Sequence, residues 1–213
     1  MKELLDLAEL LEQGQSQKVL TLTQQLVDSG LSPQIILNEG LIAGMAAVGE
    51  KMRNGEMYLP EVLQSAGAMK ASLAILKPHL AREGTASRGK ILIGTVKGDM
   101  HDIGKNLVTI MLQGAGFDVV DIGLNVEPQR FVSAITEHAP AVVGLSAMLT
   151  TTMLNMKATI EAVTAAGLRS QVKIIIGGAP VSQKFADEIG ADGYSRDAVL
   201  AVDKVKQFMS HVS

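Results

Sequence analysis

Apolar side chains recur at helical spacing over the N-terminal part of the chain. The stretch ELLDLAELLEQ places its leucines on one helix face, and QKVLTLTQQLVDSG repeats the pattern up to Gly30, a residue that favours a helix end. Two further helical patterns begin at Ser32-Pro33 and near Pro60, where proline favours the first helical turn. The pattern therefore predicts a bundle of four antiparallel helices.

From Lys90 the pattern changes to continuous apolar runs of strand length that alternate with helical stretches. KILIGTV is the first such run, and four more strand patterns follow it along the chain. Strands that are apolar on both faces are typical of a parallel sheet covered by helices. We therefore expect an α/β fold, with an N-terminal four-helix bundle and a C-terminal flavodoxin-like (Rossmann-like) five-stranded parallel sheet in the order 2-1-3-4-5.

The boundary between the two parts falls in the polar, glycine-bearing stretch AREGTASRGK. Such a composition is typical of a connection. We predict a helical domain at 1–86, a linker at 81–89 and a sheet domain at 90–213.

Composition and charge narrow the possible functions. Of the 213 residues 47% are hydrophobic, so a sizeable core can form, and the net charge of −3 offers nothing to nucleic acid or an anionic membrane. The chain contains no cysteine, which excludes disulfides, zinc knuckles and cysteine-held iron–sulfur clusters. The N-terminus is amphipathic and acidic, unlike a signal peptide, and no apolar stretch is long enough to span a membrane. We expect a cytoplasmic protein.

Polar and small residues follow the predicted strands at the edge where parallel sheets bind ligands. GDMHDIG comes after the first strand, SAMLTTT after the third, GGAP after the fourth and YSRD after the fifth. Strands one and three are neighbours in the expected order, so His101 and Ser146 should flank one crevice.

The pair Asp99 and His101 suggests specific chemistry in that crevice. Residues i and i+2 of an extended loop point the same way, so Asp99 can accept a hydrogen bond from one imidazole nitrogen and turn the other outward. This arrangement suits a metal-ligating histidine or a general base, although an isolated D-x-H at a helix start can also be a simple cap. Gly104 would let a bulky group approach the backbone.

The joint spacing of these motifs resembles a known family. The pattern D-x-H-x-x-G, S-x-x-x-T and G-G resembles the cobalamin-binding domain of methionine synthase and the corrinoid proteins of methyltransferase systems. Here it reads Asp99, His101 and Gly104, then Ser146 and Thr150, then Gly177 and Gly178. In the helical part, GEMYLPEVLQSAGAM is similar to the cap of that family, which folds over the cofactor.

The resemblance implies a role for each matching residue. His101 would be the lower axial ligand to cobalt in place of the dimethylbenzimidazole of the cofactor, and Asp99 and Thr152 would complete a ligand relay with it. Ser146 and Thr150 would bond the displaced base. In the loop around His101, the further implied contacts are Gly98, Met100, Asp102, Ile103 and Gly104. The slot for the nucleotide tail would be formed by Gly177, Gly178, Tyr194 and Ser195. The cap above the methyl group would contribute Met52, Leu59 and Val62.

The resemblance further implies a methyl carrier rather than a complete enzyme. Cobalamin would pass through Co(I), Co(II) and Co(III) states, including methylcobalamin. The implied partners are a substrate:corrinoid methyltransferase, a methylcorrinoid:tetrahydrofolate or thiol methyltransferase, and a reductive activator protein. Neither nucleic acid nor a membrane is among them.

Two other classes share parts of this pattern. The subunit of an adenosylcobalamin mutase also carries D-x-H-x-x-G, and a cobalamin-sensing regulator carries both modules. A flavodoxin-like domain that binds an ordinary nucleotide is a further alternative, but it leaves the Asp–His pair and the LPE stretch of the helical part unexplained.

Overall fold

The computed structural model describes residues 2–83 and 88–210. The chain divides into two compact units. One comprises Met1–Ser87 together with Ile110–Gly116, and the other comprises Arg88–Thr109 together with Phe117–Ser213. We call them the helical unit and the sheet unit.

The helical unit contains four helical stretches, as the apolar spacing predicts. Their bounds are α1 Lys2–Glu12, α2 Ser16–Asp28, a third stretch made of α3 Pro33–Ile35, a π-helical segment Ile36–Ile42 and α4 Ala43–Asn54, and finally α5 Leu59–Glu83. Leu4, Leu7 and Leu11 form the buried stripe of α1. Gly55, in the left-handed region at φ 75°, ends α4 because glycine adopts this conformation without steric cost.

The C-terminal end of α5 differs from the expected boundary. The helix continues to Glu83, so residues 81–83 of the predicted linker are helical. Residues 84–87 of that linker lie outside the described residues.

The sheet unit contains the five predicted strands. The elements are β1 Lys90–Thr95, α6 Ile103–Gly114, β2 Asp118–Asp121, α7 Pro128–His138, β3 Val142–Ser146, α8 Thr150–Ala165, a 3-10 turn Arg169–Gln171, β4 Lys173–Gly177, α9 Gln183–Ile189, β5 Gly193–Ser195 and α10 Ala198–Ser210. Only the first part of α6 belongs to this unit, since residues 110–114 are counted with the helical unit. The strands are all parallel in the order β2-β1-β3-β4-β5, which confirms the flavodoxin-like topology.

The register of the strands aligns their carboxyl ends. Thr95 of β1 pairs with Ser146 of β3, Ser146 pairs with Gly177 of β4, and Gly177 pairs with Ser195 of β5. The connections that leave these four positions therefore start from one row across the sheet.

The core of the sheet unit explains why this row is held firmly. Leu92, Val143 and Ile174 at the centres of three strands are fully buried, as are Phe131 of α7 and Met156 of α8. Burial of apolar side chains of this size contributes about 1.5–3 kcal/mol each.

Among the described residues, no helix has the length and apolar character needed to cross a membrane.

Candidate functional site

The loop after β1 begins with a tight turn. The backbone N–H of Asp99 donates to the Val96 carbonyl at 3.1 Å, and Gly98 has φ +79°. A left-handed third residue is what a type II turn requires, so glycine fits this position. The turn carries Asp99 and His101 past the end of β1.

Asp99 orients the His101 ring. Asp99 Oδ1 lies 2.7 Å from His101 Nδ1 and accepts the His101 backbone N–H at 3.0 Å. The Asp99 side chain is fully buried, whereas the His101 side chain is 55% exposed. With Nδ1–H donating to the carboxylate, Nε2 keeps its lone pair and is the atom available to a ligand.

The other carboxylate oxygen of Asp99 connects β1 to the start of α8. Asp99 Oδ2 accepts the Met148 backbone N–H at 2.7 Å and the Thr152 hydroxyl at 2.6 Å. Thr152 Oγ1 also lies 3.0 Å from the Leu149 carbonyl, so its single proton has two acceptors, of which Asp99 is nearer. Thr152, Asp99 and His101 thus form one continuous hydrogen-bonded chain.

These contacts keep Asp99 ionised. Burial raises the pKa of the carboxyl, but hydrogen bonds from Thr152, from the Met148 and His101 backbones and from the His101 ring lower it by more. The net pKa lies well below the usual range of an aspartic acid. A fixed negative charge therefore stands behind the imidazole ring.

Apolar side chains stand exposed around this edge of the sheet unit. Their exposed fractions are 66% for Met100, 71% for Ile103, 48% for Met148, 44% for Leu149 and 62% for Leu154. Exposed apolar side chains gathered near a polar centre are typical of a ligand surface.

Three further predicted residues lie at the starts of helices beside this edge. The Asp102 backbone carbonyl accepts the Asn106 backbone N–H at 2.7 Å, and its carboxylate accepts the Asn106 side-chain amide at 3.1 Å, just before the start of α6. Gly104 is the second residue of α6, and Thr150 is the exposed first residue of α8.

The glycines predicted to contact the cofactor differ in whether the fold itself requires a glycine at their position. A Cβ on Gly178, whose φ is +130°, would lie 1.7 Å from the Ala147 carbonyl oxygen, and one on Gly177 would lie 3.1 Å from the Ser195 carbonyl oxygen. The fold itself therefore requires Gly178. A Cβ on Gly104 would meet no atom of the described residues within 4 Å. The protein's own packing gives no reason for glycine at 104.

The end of β5 carries an unsatisfied hydroxyl. Ser195 is 7% exposed, and its Oγ finds no hydrogen-bond partner among the described residues. Tyr194, next to it, is half-buried and packs against the core of the sheet unit. A buried orphan hydroxyl normally has a partner, so a ligand group would satisfy it.

The predicted residues of the helical unit differ in accessibility. Met52 near the end of α4 is half-buried, and Leu59 at the start of α5 is 37% exposed. Val62 is fully buried, as are Ala66 and Met69 of the same helix, and its contact with the cofactor stays a prediction. Leu63, which is 41% exposed, is on the accessible face that Leu59 shares.

Three contacts around the His101 loop escaped the sequence reasoning. Asn125 bonds the backbone of Gly98, Asn155 Nδ2 donates to the Lys97 carbonyl at 2.8 Å, and Lys105 pairs with Asp121. Each partner lies in a different element, so no local spacing links them. The only signal is the polar residue itself, Asn125 within the uncharged, largely apolar stretch IGLNV.

A parallel sheet of this order, with a carboxylate-held histidine beyond its first strand, is typical of α/β proteins that bind a ligand where the strand order reverses. Comparison with known proteins identifies the ligand. Residues 89–203 match the B12 binding domain family, and residues 4–77 match a second family with the same description. The chain belongs to the B12 binding domain family, and its cofactor is a cobalamin, as the motifs predict.

Relatives and solved structures agree with this assignment. A corrinoid protein of Desulfitobacterium hafniense strain Y51 is 41% identical over 207 residues, which cover 96% of each chain. Trimethylamine corrinoid protein 2 of Methanosarcina acetivorans is 45% identical over 180 residues, which cover 84% of this chain and 83% of that protein. The crystal structure of the methanol:cobalamin methyltransferase complex from Methanosarcina barkeri matches with a TM-score of 0.87 at 26% identity, over 98% of this chain and 80% of that one.

Proposed function

We propose that this protein carries a methyl group on cobalamin, which it binds with His101 as the lower axial ligand and with the dimethylbenzimidazole base displaced. The observation that supports the proposal most directly is the His101 ring, held through Nδ1 by a buried, ionised Asp99 while more than half of the side chain is exposed. A carboxylate that accepts a hydrogen bond from one ring nitrogen of a histidine orients the other nitrogen toward a metal.

The residues present fit a bound cobalamin. The exposed apolar side chains beside His101 suit the face of a flat, largely apolar macrocycle. The orphan Ser195 hydroxyl suits a polar group of the nucleotide tail. The open space at Gly104 suits a group that approaches the helix start closely.

Each side chain then has a defined task. When bound, cobalamin supplies a cobalt that accepts and releases a methyl group. Asp99 keeps the His101 ring in the tautomer that presents Nε2, and Thr152 holds the carboxylate in place and can pass a proton toward it. Ser146 and Thr150 would bond the displaced base, and Met52 and Leu59 would shield the methyl group from water.

We propose that partner proteins perform the two transfers. Relatives are corrinoid proteins named for trimethylamine and dimethylamine, and a matching structure is that of a methanol methyltransferase complex. The donor is accordingly a methylamine or a similarly small methylated compound, delivered by a substrate:corrinoid methyltransferase. A second methyltransferase would pass the group to tetrahydrofolate or a thiol, and a reductive activator would return Co(II) to Co(I).

Reconstitution tests the proposal directly. The full chain is loaded with cobalamin, reduced to Co(I), and mixed with a methylamine methyltransferase and its substrate. We expect the absorption spectrum to change to that of methylcobalamin, and only when all components are present. Failure of the chain to retain cobalamin on gel filtration would refute the binding role, and retention without methylation by any small-donor methyltransferase would refute the carrier role.

A further inference from the structure

The loop that presents His101 is fastened to the connection between β2 and α7. Asn125 Oδ1 accepts the Gly98 backbone N–H at 2.7 Å, and the Asn125 backbone N–H donates to the Asp99 carbonyl at 2.9 Å. The two bonds run in opposite directions between the same two segments. Together they fix the main chain on both sides of the peptide that joins Gly98 to Asp99.

Asn125 adopts an unusual backbone conformation to make these bonds. Its φ is +50°, and only one other described non-glycine residue, Ala139, has a positive φ. A left-handed conformation costs most residues about 1–2 kcal/mol, although asparagine tolerates it better. The cost is offset here by the two bonds to the loop.

The same connection is itself held in place. Asp121, the last residue of β2, pairs with the buried Lys105 of α6 and accepts the Gly123 backbone N–H at 2.9 Å. The Thr95 backbone N–H donates to the Gly123 carbonyl at 3.0 Å, and the Val126 N–H donates to the Thr95 carbonyl at 2.9 Å. Asn125 therefore projects from a support that is tied to both β1 and α6.

We infer that Asn125 is a positioning residue for the axial ligand, acting through Gly98 and Asp99 on His101. This inference rests on the proposed function. The four hydrogen bonds to the Asp99 carboxylate set the rotation of that side chain, but the Asp99 backbone itself is held by the turn at 96–99 and by Asn125, while Asn155 and Thr95 bond the neighbouring carbonyls of Lys97 and His101. Without the Asn125 amide, the carboxylate has a wider range of positions, and the imidazole follows it.

Two substitutions separate the side-chain bond from the backbone conformation. Asn125→Gly keeps the left-handed conformation and removes the acceptor, whereas Asn125→Asp keeps both. Ala139→Gly is the matched control, because it relieves the same backbone strain before β3, at the opposite edge of the sheet. All are made in the full chain.

Two measurements follow the effect. Amide hydrogen exchange at Gly98 is measured without cofactor, and the nitrogen splitting in the electron paramagnetic resonance spectrum is measured after loading with cobalamin in the Co(II) state. In Asn125→Gly, we expect Gly98 exchange to rise about two- to tenfold, the worth of one hydrogen bond, and the ratio of nitrogen-ligated to unligated cobalt to fall by a similar factor. The total amount of cobalamin bound should be unchanged. In Asn125→Asp, both the Gly98 exchange rate and the fraction of nitrogen-ligated cobalt should equal those of the wild type.

The possible outcomes are distinct. Wild-type nitrogen splitting in Asn125→Gly overturns the inference, whether or not Gly98 exchange changes, since faster exchange alone would show a purely local role. An equal change in Ala139→Gly overturns it as well. If the wild-type chain retains no cobalamin or shows no nitrogen splitting, the proposed function itself fails, and this is seen before any variant is compared.

Discussion

At the residue scale, the site depends on one carboxylate. Asp99 accepts four hydrogen bonds, from the His101 backbone and ring, the Met148 backbone and the Thr152 hydroxyl. The sequence predicts the bond to His101, because residues two apart in a loop face the same way. It does not predict the bond to Met148, because that contact depends on the register of β1 with β3.

Replacing the ligand itself gives the simplest prediction. His101→Ala should fold as the wild type does, because the ring is more than half exposed, and should lose the nitrogen splitting of the Co(II) spectrum. His138→Ala, in α7, is the matched control and should keep the splitting. Splitting that persists in His101→Ala would mean that another nitrogen ligates the cobalt.

The charge of Asp99 makes a prediction about pH. Because hydrogen bonds hold its pKa below the usual value, Asp99 stabilises the cofactor-free protein above the pKa of the unfolded chain, near 3.8, and the contribution is lost as the pH falls toward the folded pKa. Asp99→Asn should lower the free energy of unfolding by about 2–3 kcal/mol at pH 7. Urea unfolding should show this difference shrinking below about pH 4. A difference that stays constant down to pH 3 would contradict it.

At the scale of single elements, two glycines differ in what requires them, the fold in one case and the cofactor in the other. Gly178 is required by the Ala147 carbonyl, whereas Gly104 in α6 faces open space. The sequence marks both as cofactor residues, because a motif does not tell whether the neighbour that demands glycine is the chain or a ligand. The parallel sheet was predictable from doubly apolar strands, whereas the exposure of Leu63 and the burial of Val62 depend on how α5 is rotated.

Gly104→Ala should therefore separate stability from binding. The free energy of unfolding without cofactor should stay the same or rise by up to about 1 kcal/mol, since alanine favours a helix over glycine. Cobalamin affinity should fall about tenfold or more, because the methyl group occupies space that the cofactor needs. Thermal unfolding and a binding titration measure the two effects, and unchanged affinity would place the cofactor elsewhere.

Gly178→Ala should act on the fold instead. The added Cβ would overlap a backbone carbonyl, so we expect the free energy of unfolding to fall by more than about 3 kcal/mol, or no soluble protein to form. Gly190→Ala is the control, because Gly190 has φ +76° and no neighbour of its Cβ within 4 Å among the described residues. Gly190→Ala should lower the free energy of unfolding by about 1–2 kcal/mol. Equal losses in the two variants would show that strain alone, and not the Ala147 carbonyl, governs position 178.

At the scale of the whole molecule, the two units can respond to cobalamin together or separately. A ligand stabilises only the parts that bind it, by about 2.7 kcal/mol at a hundredfold excess over Kd. If Met52 and Leu59 cover the cofactor as proposed, calorimetry of the full chain should show cobalamin raising the unfolding temperature of the helical unit as well as that of the sheet unit. A rise confined to the sheet unit would remove the helical residues from the site.

The π-helical segment at Ile36–Ile42 affects how this chain is aligned with its relatives. Its hydrogen bonds span five residues rather than four, so it holds one residue more than an α-helix that makes the same advance. Deleting one residue there would let the segment close as an α-helix of the same advance, so Met52 and the residues that follow would keep their helix face, whereas a deletion elsewhere in the helix would rotate them by about 100°. A relative that is one residue shorter between 36 and 42 can therefore still present the residue at the position of Met52 on the same helix face, provided that the alignment places its gap inside this segment.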